Sequence, residues 1–424
     1  MLRTIGNAFA IPEIRRKLAF TAAMLALYRL GAFIPAPGVD TNALDAVQDQ
    51  FDGGNILGFL NLFSGGALSQ LSLFALGIMP YITASIILQL LTVVVPALEK
   101  LQKEGEVGQQ KITQYTRYLT VGLAFGQSLG YVFLFDSFGG SGQSVVVGGE
   151  LTFPKLMLIV MALTAGTTLL MWLGELITQR GIGNGISLMI FASIVSGLPQ
   201  GIQAWWTNPD QVFIVMMPFV ALAVIVGIVY VQEGQRRIPV QYAKRQVGRK
   251  MTTGGSTYLP LRVNMAGVIP VIFAASIMAF PPTVGQLLNT PVALDFAAFF
   301  SPDRWAYVVG EVFFIIIFTY FYTAVTFNPV DQADNLKKYG GFVPGVRPGR
   351  PTAEFLDRIL SRLTFAGALY LGAVAALPTL LISQTSANFF FGGTSILIVV
   401  GVALDTVKQL ESQLMMRNYE GFLK

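Results

Sequence analysis

Apolar residues run in long, nearly uncharged blocks along this chain, separated by shorter polar or basic stretches. A helix needs about 20 mostly apolar residues to cross a bilayer. Ten blocks approach that length, at 18–36, 71–95, 116–136, 154–175, 185–203, 212–232, 263–282, 305–327, 362–383 and 389–407. The block VFIVMMPFVALAVIVGIVYVQ at 212–232 holds no charge, whereas those at 185–203 and 389–407 are short and carry Gly, Pro or polar residues. Between the first two blocks, GFLNLFSGGALSQLSLF (58–74) is apolar enough to leave water, and Gly65 and Gly66 interrupt it. Leu57, Phe59, Leu60, Leu62 and Phe63 predict a short apolar helix that cannot span. Asn61, Ser64, Ser69 and Gln70 predict partial wetting. Two placements fit: an interfacial helix on the outer surface, or a segment buried in protein or lining a watery cavity.

The charges orient the blocks. Ten crossings put both termini on one side. With that side cytoplasmic, every Lys and Arg except Arg29, Lys155 and Arg304, out of 28 in all, falls on cytoplasmic segments. Arg29 lies near the outer end of the first block, where a long cationic side chain reaches the interface. The segment after Arg15, Arg16 and Lys17 is too long for a cleavable signal and no small-residue cleavage site follows it. Ten crossings also divide into two sets of five, and an odd number per half inverts one half relative to the other. No sequence repeat between 1–204 and 205–424 marks that division.

Composition narrows the chemistry. The chain is 53% hydrophobic and only 12% charged, about half the charge of a soluble domain. Cysteine and histidine are both absent. That removes disulfides, thiolate chemistry, and the commonest metal ligand and general base. Carboxylates lie toward block ends: Glu175, Glu233 and Asp405 inward, Asp136 and Glu311 outward. An ion-coupled transporter asks for a buried charge near mid-membrane, which this pattern does not offer. Thr83, Ser85, Gln89, Gln127 and Asn264 bring polarity into the blocks, either as bonds between helices or as a weak, separable seam. GIGNGIS (181–187) lacks the strand context and lysine of a phosphate loop and predicts a glycine turn opening a helix. No metal, cofactor or covalent catalysis is predicted. Two basic loops, 233–262 and 328–361, exceed what a turn needs. Topology alone accounts for basic loops, but paired cations on Gly/Pro-shaped segments also suit phosphates or an acidic partner.

Several strings are more specific: RLGAFIPAPGVD (29–40), NLFSGGALSQ (61–70), FALGIMPYITASIILQLLT (74–92), KITQYTRY (111–118), RGIGNGIS (180–187), GQRRIPVQYAKRQVGRK (234–250), LPLRVNMAGVIPVIFA (259–274), FNPVDQADNLKKYGGFVPGVRPG (327–349) and FFGGTSILIVVGVALD (390–405). Together they make the chain resemble the SecY family of protein-translocation channels over essentially its whole length. One departure is Val330 and Asp331 after Asn328 and Pro329, where the family often has a basic residue.

The resemblance implies an all-α polytopic membrane protein with ten transmembrane helices in two inverted five-helix halves, 1–204 and 205–424, around a pore. It implies a pore ring of Ile78, Ile82, Ile186, Ile190, Ile272 and Ile398; by spacing alone, Ile78/Ile82 and Ile186/Ile190 are only aliphatic pairs on one helix face. It implies a plug over 56–70, carried by Phe59, Leu60, Leu62, Phe63, Gly65 and Gly66, and a lateral gate between spans two and seven with Thr83, Gln89, Gln127 and Asn264 as its polar seam. Arg236, Arg237, Arg249, Lys250, Lys337, Lys338 and Arg347 become docking residues for the motor ATPase SecA or for ribosomal RNA. Expected partners are SecE and SecG, SecA, the ribosome, signal sequences and nascent polypeptides, and membrane lipids. The expected location is the bacterial cytoplasmic membrane with both termini inside, and the expected role is non-enzymatic. An ion-coupled carrier of a small solute is the alternative.

Overall fold

The computed structural model describes residues 11–41, 44, 58, 61, 63–138, 146–147, 151–206, 211–242, 246–247, 250–251, 255–288, 290–300, 304–385 and 393–421. A long helix matches each of the ten apolar blocks. In the first half these are α1 (Pro12–Ala32), α2 (Met79–Val94), α4 (Glu106–Phe138), α5 (Phe153–Arg180) and α6 (Gly185–Trp206), with a short α3 (Pro96–Lys103) between α2 and α4. In the second half they are α7 (Gln211–Glu233), α8 (Ile269–Leu288), α10 (Trp305–Thr326), α12 (Arg350–Thr385) and α13 (Gly393–Gly421), with short α9 (Pro291–Phe299) and α11 (Pro329–Lys338). Among the described residues five helices are long and apolar enough to cross a membrane alone. One of them, α7, is almost entirely unburied, with Phe219, Leu222 and Val226 open on its surface. So much exposed apolar surface is stable only in lipid or against another membrane helix.

Helix ends follow local chemistry. Val95 is extended ahead of Pro96, because a proline pushes its predecessor out of the helical region, so α2 stops there and α3 leaves at 98°. Pro199 and Pro218 lie inside α6 and α7; membrane helices tolerate them because neighbouring groups re-satisfy the freed carbonyls. GIGNGIS forms the expected turn. Gly183 has φ +87°, and Asn184 Oδ1 accepts from Ile186 N (3.1 Å) and Ser187 N (3.3 Å) to open α6.

Helix pairing repeats. In the first half α2 packs on α4, α4 on α5, α5 on α6, and α1 on α5 and α6. In the second, α8 packs on α10, α10 on α12, α12 on α13, and α7 on α12 and α13. The same scheme recurs five long helices later, although the two stretches share no visible sequence repeat. The halves meet where α2 and α4 touch α8 and where α6 touches α13.

Two expectations change here. The block at 71–95 is helical only from Met79; residues 65–78 form successive turns. Gly65, Gly66 and Gly77 have positive φ there, and Leu73 N donates to Ile34 O (2.8 Å) while Ala36 N donates to Leu71 O (3.0 Å), tying the turns to the exit of α1. The basic loops are also structured. β1 (Gln235–Tyr242) pairs antiparallel with β4 (Ser256–Arg262), from Gln235 opposite Arg262 to Gln241 opposite Ser256. Between them β2 (Gln246–Val247) pairs with β3 (Lys250–Met251). From the other loop, β5 (Gly341–Phe342) joins β1 at Gln241 and Tyr242, giving the order β4-β1-β5. Ile238 and Val240 alternate inward, and Ile238 shares a buried cluster with Leu261, Val343, Leu356, Ile359 and Leu360. A two-faced sheet thus sits on the start of α12.

Candidate functional site

Most of the described residues of the 58–70 segment lie inside the protein. Its described helical residues are 58, 61, 63 and 64. Phe63 and Ala67 are 2% and 0% exposed, and Leu68 and Leu71 are equally buried. Among the described residues this overturns the surface-helix placement. Of its polar residues Gln70 is exposed and Asn61 half-buried, while Ser64 and Ser69 are buried. Ser64 Oγ donates to Asn61 O (2.9 Å) and accepts from Leu68 N (3.0 Å). Asn61 Oδ1 accepts from Ser69 N (3.0 Å), and Ser69 Oγ donates to Gly66 O (3.0 Å). A chain that turns this tightly leaves backbone groups outside any helix ladder, and these side chains satisfy them internally. Phe59, Leu60 and Leu62 lie outside the described residues.

Beneath this segment one buried cluster gathers all six isoleucines named above. Ile78 caps the start of α2 and Ile82 lies one turn on; Ile190 comes from α6, Ile272 from α8 and Ile398 from α13, each at most 4% exposed. Ile186 is half-buried and packs against them. Phe63 and Ala67 belong to the same cluster. Four helices, two from each half, therefore contribute aliphatic side chains to one region, covered by a segment that does not span. The cluster also extends to Phe273, Leu371 and Val402, so it is larger than a ring of six.

The polar seam is partly assembled. Thr83 is half-buried and donates to Met79 O (3.1 Å), within its own helix. Gln89 and Gln127 are half-buried on α2 and α4. Asn264 is buried before α8; its Nδ2 donates to Gly267 O (2.9 Å) and its Oδ1 has no partner among the described residues. A contact directly across α2 and α8 comes from a residue the sequence reading did not select, Ser276, whose Oγ lies 3.8 Å from Met79 Sδ.

At the cytoplasmic end, Arg236 and Arg237 on β1, Lys337 and Lys338 at the end of α11, and Arg347 are all exposed. Gly345 and Gly349 at φ +84° and +102° shape the turn carrying Arg347, whose carbonyl accepts from Thr352 Oγ1 (2.8 Å). The guanidinium is therefore displayed from a fixed backbone. Arg249 lies outside the described residues, and Lys250 is placed only as a residue of β3.

Two charged residues differ from expectation. Arg29 does not reach for the interface; Nη1 donates to Gly65 O at 2.6 Å, and the guanidinium lies 5.0 Å from the Phe33 ring centre. Its neighbour Tyr28, 2% exposed, donates to Ser64 O (3.1 Å) and bonds Ser193 Oγ on α6. The available signal was a lone cation inside an apolar block, which by itself asks for a partner. Glu311 is 3% exposed with an unpartnered Oε1, so a buried carboxyl does exist in the spans. Among the described residues no group of three or more acidic side chains is placed to hold a metal ion.

Known proteins share this architecture. A solved SecY, described for a plug domain that stabilises the closed state of the translocation channel, matches with a TM-score of 0.62 at 21% identity, covering 93% of this chain and 91% of that one. Sec61 in the canine ribosome–channel complex matches at 0.59 and 20% identity, with the same coverage. At these identities the likeness establishes the fold. The protein translocase subunit SecY of Corynebacterium glutamicum is 50% identical over 445 residues, covering the whole of both chains. A family model described as SecY matches residues 72–407, and on these two matches the chain belongs to the SecY family.

Proposed function

We propose that this chain is the pore-forming subunit of a protein-conducting channel in the bacterial cytoplasmic membrane, passing unfolded secretory polypeptides across and releasing apolar segments into lipid. Family membership supports this, and one observation carries the mechanism. Five isoleucines from both halves share a buried cluster with Phe63 and Ala67 of a non-spanning segment, and Ile186 packs against it. Aliphatic side chains offer ions no substitute for their hydration and yield to a passing chain. The isoleucines act as the constriction and the 56–70 segment as the plug. The halves are 1–204 and 205–424, and the gate toward lipid is the α2/α8 contact, with Thr83, Gln89, Gln127 and Asn264 lining its approach.

The cytoplasmic sheet and the turn at Arg347 form the docking face. Its cations suit a motor ATPase of the SecA type or ribosomal RNA, as the ribosome-bound canine relative suggests. SecE and SecG are the membrane partners. The chain does no covalent chemistry of its own; a docked partner supplies the energy. Membership in the SecY family weighs against the ion-coupled carrier, and Glu311 alone does not restore that reading.

The test is reconstitution of the chain with SecE in vesicles, with SecA, ATP and a signal-bearing substrate outside. ATP-dependent protection of the substrate from protease is expected. Deleting residues 58–68 is expected to keep transport, raise ion leak and admit defective signals. No uptake with intact components would overturn the channel assignment, and a deletion tight to ions would overturn the plug.

A further inference from the structure

We infer that Tyr28 and Arg29, at the outer end of α1, are a latch that holds the plug closed by gripping two consecutive carbonyls at its root. The inference rests on the plug reading above and goes beyond it, because it assigns the closed state to named polar contacts outside the plug and the aliphatic ring. Four observations carry it. Tyr28 donates to Ser64 O at 3.1 Å and Arg29 donates to Gly65 O at 2.6 Å. Both carbonyls sit at the point where the short helix gives way to the glycine turn, with Gly65 and Gly66 at φ +69° and +85°. The turn presents those oxygens to α1 only while it keeps that shape.

The grip is built, not incidental. Tyr28 is 2% exposed, and its hydroxyl also bonds Ser193 Oγ of α6. The Arg29 guanidinium is held against Phe33, a cation–aromatic contact that orients its fork. A Cβ placed on Gly65 would lie 3.1 Å from Arg29 Nη1, 3.2 Å from Ser193 Cα and 3.2 Å from Ser196 Oγ. The root of the plug therefore lies close against α1 and α6, where a side chain at position 65 would crowd the arginine and Ser193 by a few tenths of an ångström. Apolar packing of Phe63 and Ala67 tolerates sliding; a charged hydrogen bond to a buried carbonyl has one geometry and is costly to leave unmade. The apolar contacts seal, and the two donors fix where the seal sits. Opening requires both carbonyls to leave their donors, so a disturbance of α1 against α6 at Ser193 reaches the plug directly.

The chain has no cysteine, so Ala67→Cys, at a plug position 0% exposed, gives a clean report of plug displacement. In the complex with its small membrane subunits, labelling of this cysteine by a small thiol reagent and ion leak are measured together. Arg29→Gln is expected to raise both about tenfold, the scale set by losing one charged hydrogen bond. Arg29→Lys, which keeps a charged donor where glutamine offers a shorter neutral one, is expected to restore most of the closure. Tyr28→Phe, nearly isosteric, is expected to act in the same direction and serves if Arg29→Gln fails to accumulate. Transport of a substrate with an intact signal reports that the complex is assembled. Deletion of 58–68, run alongside, separates the two ideas. A leaky deletion with Arg29→Gln and Tyr28→Phe both at parental labelling and leak overturns the latch alone; a tight deletion overturns the plug reading beneath it.

Discussion

The glycine pair in the proposed plug allows a quantitative test of how the closed state is held. Gly65 and Gly66 both occupy the left-handed region, at φ +69° and +85°. Alanine there costs about 1–2 kcal/mol per residue. At Gly66 nothing lies within 4 Å of a new Cβ, so Gly66→Ala adds backbone strain only. At Gly65 the Cβ meets Arg29 Nη1, Ser196 Oγ and the Cα of Ser193 at 3.1–3.2 Å. Gly65→Ala therefore adds the same strain plus a displacement of the Arg29 fork or of the α6 backbone. If the turn unwinds when the plug leaves, this strain is paid only in the closed state, and about 1–2 kcal/mol raises the open fraction roughly 5–30-fold. Conductance of the complex in planar bilayers, with no polypeptide substrate, reads that fraction. The expected order is parent, then Gly66→Ala, then Gly65→Ala. Strain common to both states cancels, so an unchanged conductance for Gly66→Ala would refute a hinge at this turn. Equal conductance for the two variants would refute the close fit of the Arg29–Ser193 cradle.

Arg347→Glu leaves the turn intact, because the backbone carbonyl holds Thr352 whatever the side chain; SecA-driven uptake is expected to fall at least about tenfold at normal protein levels, and normal uptake would remove this residue from the docking face. Asparagine at Ile82, Ile190, Ile272 and Ile398 together is expected to raise resting ion leak by wetting the constriction; conductance equal to the parent would show that the aliphatic cluster is packing and not a seal. Leu261→Ala empties a fully buried site under the cytoplasmic sheet, at a cost of about 3 kcal/mol. Limited proteolysis from the cytoplasmic side is expected to cut within 233–262 faster, with the membrane helices unaffected, and an unchanged rate would count against a packed sheet. Cysteine at the exposed positions Gln241 and Tyr339 is expected to react with an impermeant maleimide only from the cytoplasmic side; labelling in intact cells would reverse the topology.

Much of this was readable because a membrane turns composition into geometry. An uncharged block near 20 residues has few alternatives to a helix, so ten blocks met ten long helices. The turns at 65–78 were hidden for the same reason: apolarity reads as a span whether or not the backbone is helical. Their shape depends on pairing with the exit of α1 around Pro35 and Ser72, a contact no window of sequence contains. The cytoplasmic sheet was masked differently. RRIPVQY alternates with a period of two at Ile238 and Val240, but its cations read as a loop, and β5 arrives from the next cytoplasmic loop. Gly341 permits that last pairing, since a Cβ there would meet the Tyr242 ring at 2.9 Å. Arg29 was visible as a charge near the outer end of a block and was assigned to the interface, because its acceptor is a backbone carbonyl, and carbonyls leave no mark in a sequence. The isoleucine cluster was legible only through family resemblance, because aliphatic pairs four apart occur throughout membrane helices.

The distribution of polar contacts bears on how such a molecule opens without falling apart. Arg117 and Glu175 form a two-pronged ion pair between α4 and α5, with Arg117 Nε 2.8 Å from Glu175 Oε1. Lys408 and Glu233 join α13 to α7 at 2.9 Å. Each pair ties helices within one half. Across α2 and α8, by contrast, a polar contact among the described residues is the long Ser276–Met79 approach of 3.8 Å, beside buried apolar side chains of both helices, Ile82 and Ile86 on one and Ile272 and Phe273 on the other. In lipid an apolar helix face loses little when its partner is exchanged for acyl chains, because both are equally apolar. Ion pairs and hydrogen bonds have no such substitute there. Ion pairs of this kind lie within each half, at the cytoplasmic ends of its helices, whereas α2 and α8 meet mainly through contacts that lipid can replace. An apolar segment entering from the pore is a third surface of the same kind. Parting this seam then costs mostly the close fit between side chains, a cost the incoming segment offsets as it packs into the gap. The plug cannot be held on those terms alone, since a purely apolar seal would yield to the same exchange. The two carbonyls gripped by Tyr28 and Arg29 supply the directional contact that an apolar intruder cannot imitate, which lets the seam stay soft while the pore beneath it stays shut.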